Sequence, residues 1–178
     1  VALAAVAHAL GGAASLFEIA SNGEPLNHSV QSPDGIHPTL LYGLSSERVS
    51  LLSPCLEISR MKRLRMIAQK REALAGLRVC FNNAGGYYNC GECEKCLRTA
   101  LALMVIGVDP APLFSGKRPE PAAFRRENID NACVAAMYAE IRDAMHGPEW
   151  SVWRRQISNM LDRWVRYERW MAGRTLGG

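Results

Sequence analysis

The sequence predicts an α/β fold: a partial, mainly parallel sheet with flanking helices, a four-cysteine zinc loop and a C-terminal helical tail. Three observations lead there. Short apolar runs alternate with helix-period stretches up to about residue 106, and Cys80, Cys90, Cys93 and Cys96 crowd into one stretch. All four tryptophans fall from Trp150 onward, in sequence with a helical period.

The elements follow in chain order. The Ala-rich run 1–10 reads as a helix stopped by Gly11-Gly12. Residues 15–20 (SLFEIA) read as a short buried strand, and 21–38 as a loop rich in Ser, Asn, Gly and Pro. A second strand is expected at 49–52, ahead of Pro54. Ser59 is a candidate cap for a helix to about Leu74, with Ile58, Met61, Leu64, Ile67 and Ala68 as its apolar stripe. Residues 77–81 (LRVCF) read as a third strand carrying Cys80, and a helix follows from about Glu94 to Ile106. The Pro-rich stretch 108–128 reads as a connector, and two helices, 129–145 and 149–171, are separated by Gly147-Pro148.

Composition bounds the function. The chain has 178 residues, 48% hydrophobic and 21% charged, enough to bury a core and too apolar for a disordered segment. No run of about 18 apolar residues exists, so no membrane span is expected. The formal charge is +4, and a bound Zn(Cys)₄ centre would lower it to about +2, too little to argue for nucleic acid alone. The first residues look like the middle of a domain, so a preceding N-terminal portion is expected. Clustered cysteines and no basic leader before the first apolar run argue against three disulfides and point to a reducing cytoplasm.

The cysteine spacing is C-x9-C-x2-C-x2-C. A C-x2-C turn brings two sulfurs to the separation of neighbouring ligands on one tetrahedral ion. Gly91 permits the tight backbone, and Cys96 lies about one helical turn beyond Cys93. Amides at the start of that helix offset the thiolate charge, with Lys95 and Arg98 as further candidates. Four protein sulfurs leave no open position, so the expected ion is a structural Zn²⁺. An iron–sulfur cluster is the rival, but Thr99-Ala100 stands where a ferredoxin run would place its fourth Cys-Pro.

The run Asn89-Cys90-Gly91-Glu92-Cys93-Glu94-Lys95-Cys96-Leu97-Arg98-Thr99, with Cys80 upstream, resembles the zinc-binding C-terminal segment of the 7-cyano-7-deazaguanine synthase family and its uncharacterised relatives. These belong to the PP-loop ATP pyrophosphatase class of the adenine-nucleotide α-hydrolase fold. The resemblance covers roughly residues 1–106 and is specific at the cysteines. It implies that 1–107 is the C-terminal part of an ATP-using, adenylate-forming domain, with the Cys80 loop and the Cys96 helix flanking a substrate pocket. The S-G-G-x-D-S loop with which that class holds ATP phosphates does not occur in this sequence. ATP chemistry would therefore need an ATP-binding N-terminal half, and a homo-oligomer is the other partner expected.

Under that resemblance His37 is the first choice for a catalytic, substrate-side residue, followed by Asp34 and Glu47. Arg60, Lys62, Arg63, Arg65, Lys70 and Arg71 make a basic helix, read as a solvated face or as a phosphate or nucleic-acid contact. Trp150, Trp153, Ile157, Leu161, Trp164 and Met171 form a stripe on the last helix, which reads as a packed amphipathic helix or an interfacial one. Two other functions stay open: a non-enzymatic zinc module contacting nucleic acid or protein, and an iron–sulfur or sulfur-transfer protein.

Overall fold

The structure is a computed structural model that describes residues 2–20, 37–82 and 86–175. Asp34 and most of the expected 21–38 loop lie outside the described residues, as does Gly85. The chain forms two compact units, Val1–Arg60 and Met61–Gly178.

In the first unit, helix α1 (Ala2–Ala9) forms from a run dominated by alanine, the strongest helix former. It buries Ala4 and Ala7, while Leu3, Val6 and Leu10 remain at least half exposed. Strands β1 (Leu16–Glu18) and β2 (Ser50–Leu52) pair in parallel, with Leu16 opposite Ser50 and Phe17 opposite Leu51. Between them in sequence lies α2 (Pro38–Gly43), which was not expected. It starts there because the Thr39 amide donates to His37 Nδ1 at 3.2 Å and Pro38 occupies the first turn, where its missing N–H costs nothing. Ser45 ties α2 to β2, donating to the Leu41 carbonyl and accepting from the Leu51 amide. Ala4, Ala7, Leu41, Val49 and Leu51 form a small core.

The second unit is helical. It contains α3 (Arg60–Ala68), α4 (Arg71–Ala75), α5 (Glu94–Val105), α6 (Ala132–Asp143) and α7 (Ser151–Thr175). Single 3-10 turns lie at Ala111–Leu113, Pro121–Arg125 and Pro148–Trp150. Helix α5 is buried on nearly every side from Cys96 to Leu103, Arg98 and Thr99 included. Burying Leu101 and Leu103 completely contributes about 1.5–3 kcal/mol each. Tyr138 and Ile141 of α6 and Ile157, Met160 and Leu161 of α7 complete this core. Phe124 packs edge-on against Tyr138 at 6.1 Å and Trp153 at 6.0 Å.

Several expectations change. The α/β class holds only loosely: the sheet has two strands, both in the first unit, and the described residues of the second unit contain none. Residues 77–81 are extended but not a strand, because the backbone around Cys80 bonds to a side chain and not to a neighbouring strand. The expected helix 59–74 breaks at Gln69-Lys70 into α3 and α4. The stretch 108–128, read as a connector, sends Phe114 and Phe124 into the core, both fully buried. Met171 is exposed, since the buried stripe of α7 ends near Leu161. Among the described residues no helix is long and apolar enough to cross a membrane.

Candidate metal centre

Asn89 positions the first cysteine. The residue is 1% exposed. Its Oδ1 accepts from the amides of Val79 (2.9 Å) and Cys80 (3.3 Å). Its Nδ2 donates to the carbonyls of Leu77 (2.8 Å) and Leu113 (3.2 Å). One amide thus satisfies four buried or half-buried backbone groups that a strand ladder would otherwise have served. The Asn89 carbonyl in turn accepts from Ser115 Oγ at 2.7 Å.

The C-G-x-C turn brings in the next two sulfurs. Gly91 has φ +77°, the left-handed region that favours glycine, and a Cβ there would meet the Phe114 carbonyl oxygen. The Cys93 amide donates to Cys90 Sγ at 3.4 Å, holding the turn closed. Cys93 is the N-cap of α5 and Cys96 sits in its first turn, so the helix start supplies two sulfurs and its positive end together. The Asn82 amide donates to Cys80 Sγ at 3.2 Å.

The four sulfurs converge. Cys80 Sγ lies 3.5 Å from Cys90 Sγ and 3.7 Å from Cys93 Sγ, and Cys90 Sγ lies 3.8 Å from Cys96 Sγ. All four fall within 4.8 Å of one another. A tetrahedron with arms of about 2.3 Å has edges of about 3.8 Å, so this group can hold one metal ion with little rearrangement. Cys80, Cys90 and Cys96 are buried, and Cys93 is half-buried. Cys55 and Cys133 lie outside the group, and no disulfide joins any of the six cysteines.

The electrostatics are uneven. Burial pushes the Cys90 thiol up, but the backbone at Glu92 and Cys93 and the thiols of Cys80 and Cys93 outweigh it, leaving Cys90 at about 6. Burial raises Cys93, and the Cys90 and Cys80 thiols add to that. Burial raises Cys96 further, with Cys93 contributing. Packing sulfurs this closely disfavours several thiolates at once unless a cation sits among them.

Of the basic residues expected to help, Lys95 places its ammonium 4.6 Å from the Phe81 ring centre. Arg98 is buried and points to Glu94, 3.3 Å away, and to the Tyr138 ring. Lys117 pairs instead with Glu92, inside the turn.

His37, in the first unit, caps α2, and its Nε2 is shut off from solvent with no hydrogen-bond partner among the described residues. Glu47 is exposed on the turn before β2, and the basic residues Lys62, Arg65, Lys70 and Arg71 are exposed. The sequence reading missed the structural roles of Asn89, Phe114 and Ser115. Asn89 had one available signal: it is the polar residue directly preceding the C-G-x-C turn. No protein family, curated protein or solved structure matches the chain.

Proposed function

We propose that Cys80, Cys90, Cys93 and Cys96 hold a structural Zn²⁺, and that the chain is the zinc-bearing C-terminal portion of a PP-loop-type, ATP-dependent, adenylate-forming enzyme. The observation that carries the reading is the four-sulfur group, with three edges of 3.5–3.8 Å and all sulfurs within 4.8 Å of one another, which suits a single ion. A cluster places several iron and sulfide atoms between its cysteines and spreads their sulfurs further apart, so this spacing favours one ion over an iron–sulfur centre. Zinc is the commonest ion for four cysteines, and with no open position its part is to hold the Cys80 segment against the start of α5.

The enzyme reading rests on the N-C-G-x-C-x-K-C-x-R-T run and on the first unit. A parallel pair of three-residue strands is small for an independent sheet. Leu3, Val6 and Leu10 of α1, with Leu16 and Leu52 of the strands, are exposed apolar groups suited to cover by further α/β structure. In this reading an ATP-binding half supplies the S-G-G-x-D-S loop, and the chain alone does not turn over ATP. His37 is the substrate-side residue, because its Nε2 is buried with hydrogen-bonding capacity unused by the described residues.

Elemental analysis with a visible spectrum tests the metal. About one zinc per chain and no colour supports it, and iron with acid-labile sulfide and a brown band overturns it. Expressing the chain with the coding sequence upstream of Val1 tests the enzyme reading. An S-G-G-x-D-S loop there, with pyrophosphate released from ATP, supports it. An upstream sequence without that loop and no ATP turnover rejects it while leaving the zinc assignment standing.

A further inference from the structure

A cleft of about 450 Å³ opens in the second unit, away from the sulfur group in sequence and built from different elements. One wall is the segment Glu127–Asp130, and the other is the α7 face carrying Met160, Arg163, Trp164 and Tyr167. Its volume lies in the range of small-molecule sites.

The lining is of two kinds. Ile129 and Met160 are buried and form an apolar floor. The Trp164 and Tyr167 rings stand 5.9 Å apart, tilted by 40°, along the α7 side. The opposite wall carries two acidic residues, Glu127 and Asp130. Among the described residues the lining has one basic group, Arg163, and its guanidinium donates to the Glu127 main-chain carbonyl at 3.0 Å. Part of its donor capacity is thus spent on the backbone. Two acids against one base leave the lining with an excess of one negative charge.

We propose that this cleft binds an organic cation: an ammonium group on an apolar body, met by Glu127 and Asp130 at the polar end and by Trp164, Tyr167 and Met160 along the body. The rings give the apolar body a stacking surface and the acidic residues give the ammonium its counter-charge, so the two kinds of lining fit the two ends of one ligand. Burial and the nearby charges of Glu94 and Asp130 hold the Glu127 carboxyl above its usual range. That is the behaviour of a carboxylate short of a positive partner. A neutral aromatic ligand would fill the floor and leave this charge unanswered, and an anion would oppose it. The chemistry is shared by a free amine and by a lysine side chain on a peptide. The inference is independent of the metal's identity and of the enzyme reading.

The test is a chemical-shift titration of the ¹⁵N-labelled, metal-loaded full chain. The probes are benzylammonium chloride, its neutral counterpart benzyl alcohol, sodium benzoate and N-acetyl-lysine methylamide. Benzylammonium is expected to give saturable shifts at the amides of 127–130 and 160–167. Benzyl alcohol is expected to bind about tenfold more weakly, the effect of losing one charge contact. Glu127→Gln and Asp130→Asn should each weaken benzylammonium severalfold while the rest of the spectrum stays in place. Tyr167→Ala, at an exposed ring whose loss spares the core, should do the same. Tighter binding of the lysine probe than of benzylammonium assigns the site to peptide side chains, and the reverse assigns it to free amines. Equal binding of alcohol and ammonium, tighter binding of benzoate, or no saturation at these amides up to the solubility of the probes overturns the proposal.

Discussion

The Phe114 carbonyl oxygen lies 2.7 Å from the position a Cβ on Gly91 would occupy, so the C-G-x-C turn and the 3-10 turn at 111–113 fit only with a bare Cα between them. Gly91 also sits at φ +77°. Gly91→Ala therefore combines backbone strain with a contact against main chain that cannot rotate away. We expect a loss of roughly 1–3 kcal/mol in stability, measured by denaturation of the loaded protein. Metal retention under dialysis should fall in parallel, because the same turn carries Cys90 and Cys93. Full retention with an unchanged melting curve would sink the account of this turn.

Asn89→Ala leaves the amides of Val79 and Cys80 and the carbonyls of Leu77 and Leu113 without their partner. An unpaired buried group costs about 1–3 kcal/mol and a half-buried one less, so a net loss of about 2 kcal/mol is expected. Asn159→Ala, at an exposed position on α7, serves as the control and should stay within about 0.5 kcal/mol. Urea unfolding of the two variants side by side makes the comparison, and equal midpoints would remove Asn89 from the account of the site.

Metal loading should release protons. Burial and neighbouring thiols raise Cys93 and Cys96, so in the metal-free chain both are protonated at neutral pH and must be stripped by the ion. Calorimetric titration of zinc at pH 7 in buffers of different ionisation enthalpy should give on the order of two protons or more per ion. Loading should weaken as pH falls, because protons compete for the same sulfurs. A proton count near zero contradicts this.

Arg118 binds both oxygens of Asp109, at 2.8 and 2.7 Å, and with the Ala111 amide holds that carboxyl at about 2. Its folded value lies below its unfolded one, so its stabilising effect is present above the ordinary carboxylate range and is lost as pH falls through about 2. Both side chains are exposed, so the effect on overall stability is small. Carbon-detected NMR titration should place Asp109 near 2, and Arg118→Ala should move it back toward 3.8. An unmoved midpoint in that variant would show that Arg118 is not the cause.

The Tyr138 hydroxyl is buried close to the Glu94 carboxylate, which together with burial pushes it up, but it makes no hydrogen bond of good geometry among the described residues, although its ring packs against Phe124. Tyr138→Phe keeps the ring and removes the unsatisfied group, so it should be neutral or stabilising by up to about 1 kcal/mol. A loss above about 1 kcal/mol would show that the Glu94 carboxylate or water satisfies the hydroxyl.

The sulfur group was legible because its geometry is local. Cys90, Cys93 and Cys96 span seven residues, and the start of α5 at Cys93-Glu94 fixes two of them. The third strand was not legible, because what organises 77–80 is a side chain ten residues on, and LRVCF looks the same whether its amides meet a strand or Asn89. Proline density suggested a connector at 108–128. It carried no sign that Phe114 and Phe124 would be drawn under α5 and α7, since isolated aromatics between prolines have no period to read. Helix α2 was hidden for the opposite reason: His37-Pro38 is a helix start signal that also occurs in loops.

Cys93 is the least buried of the four cysteines. An incoming ligand, whether chelator, competing thiol or oxidant, meets that corner first, while the three buried cysteines keep their grip. How long an ion resides there then depends on how often the Cys93 corner opens, and not on the depth of the well alone. Two chains with the same equilibrium affinity could trade their metal at very different speeds if one had that corner covered.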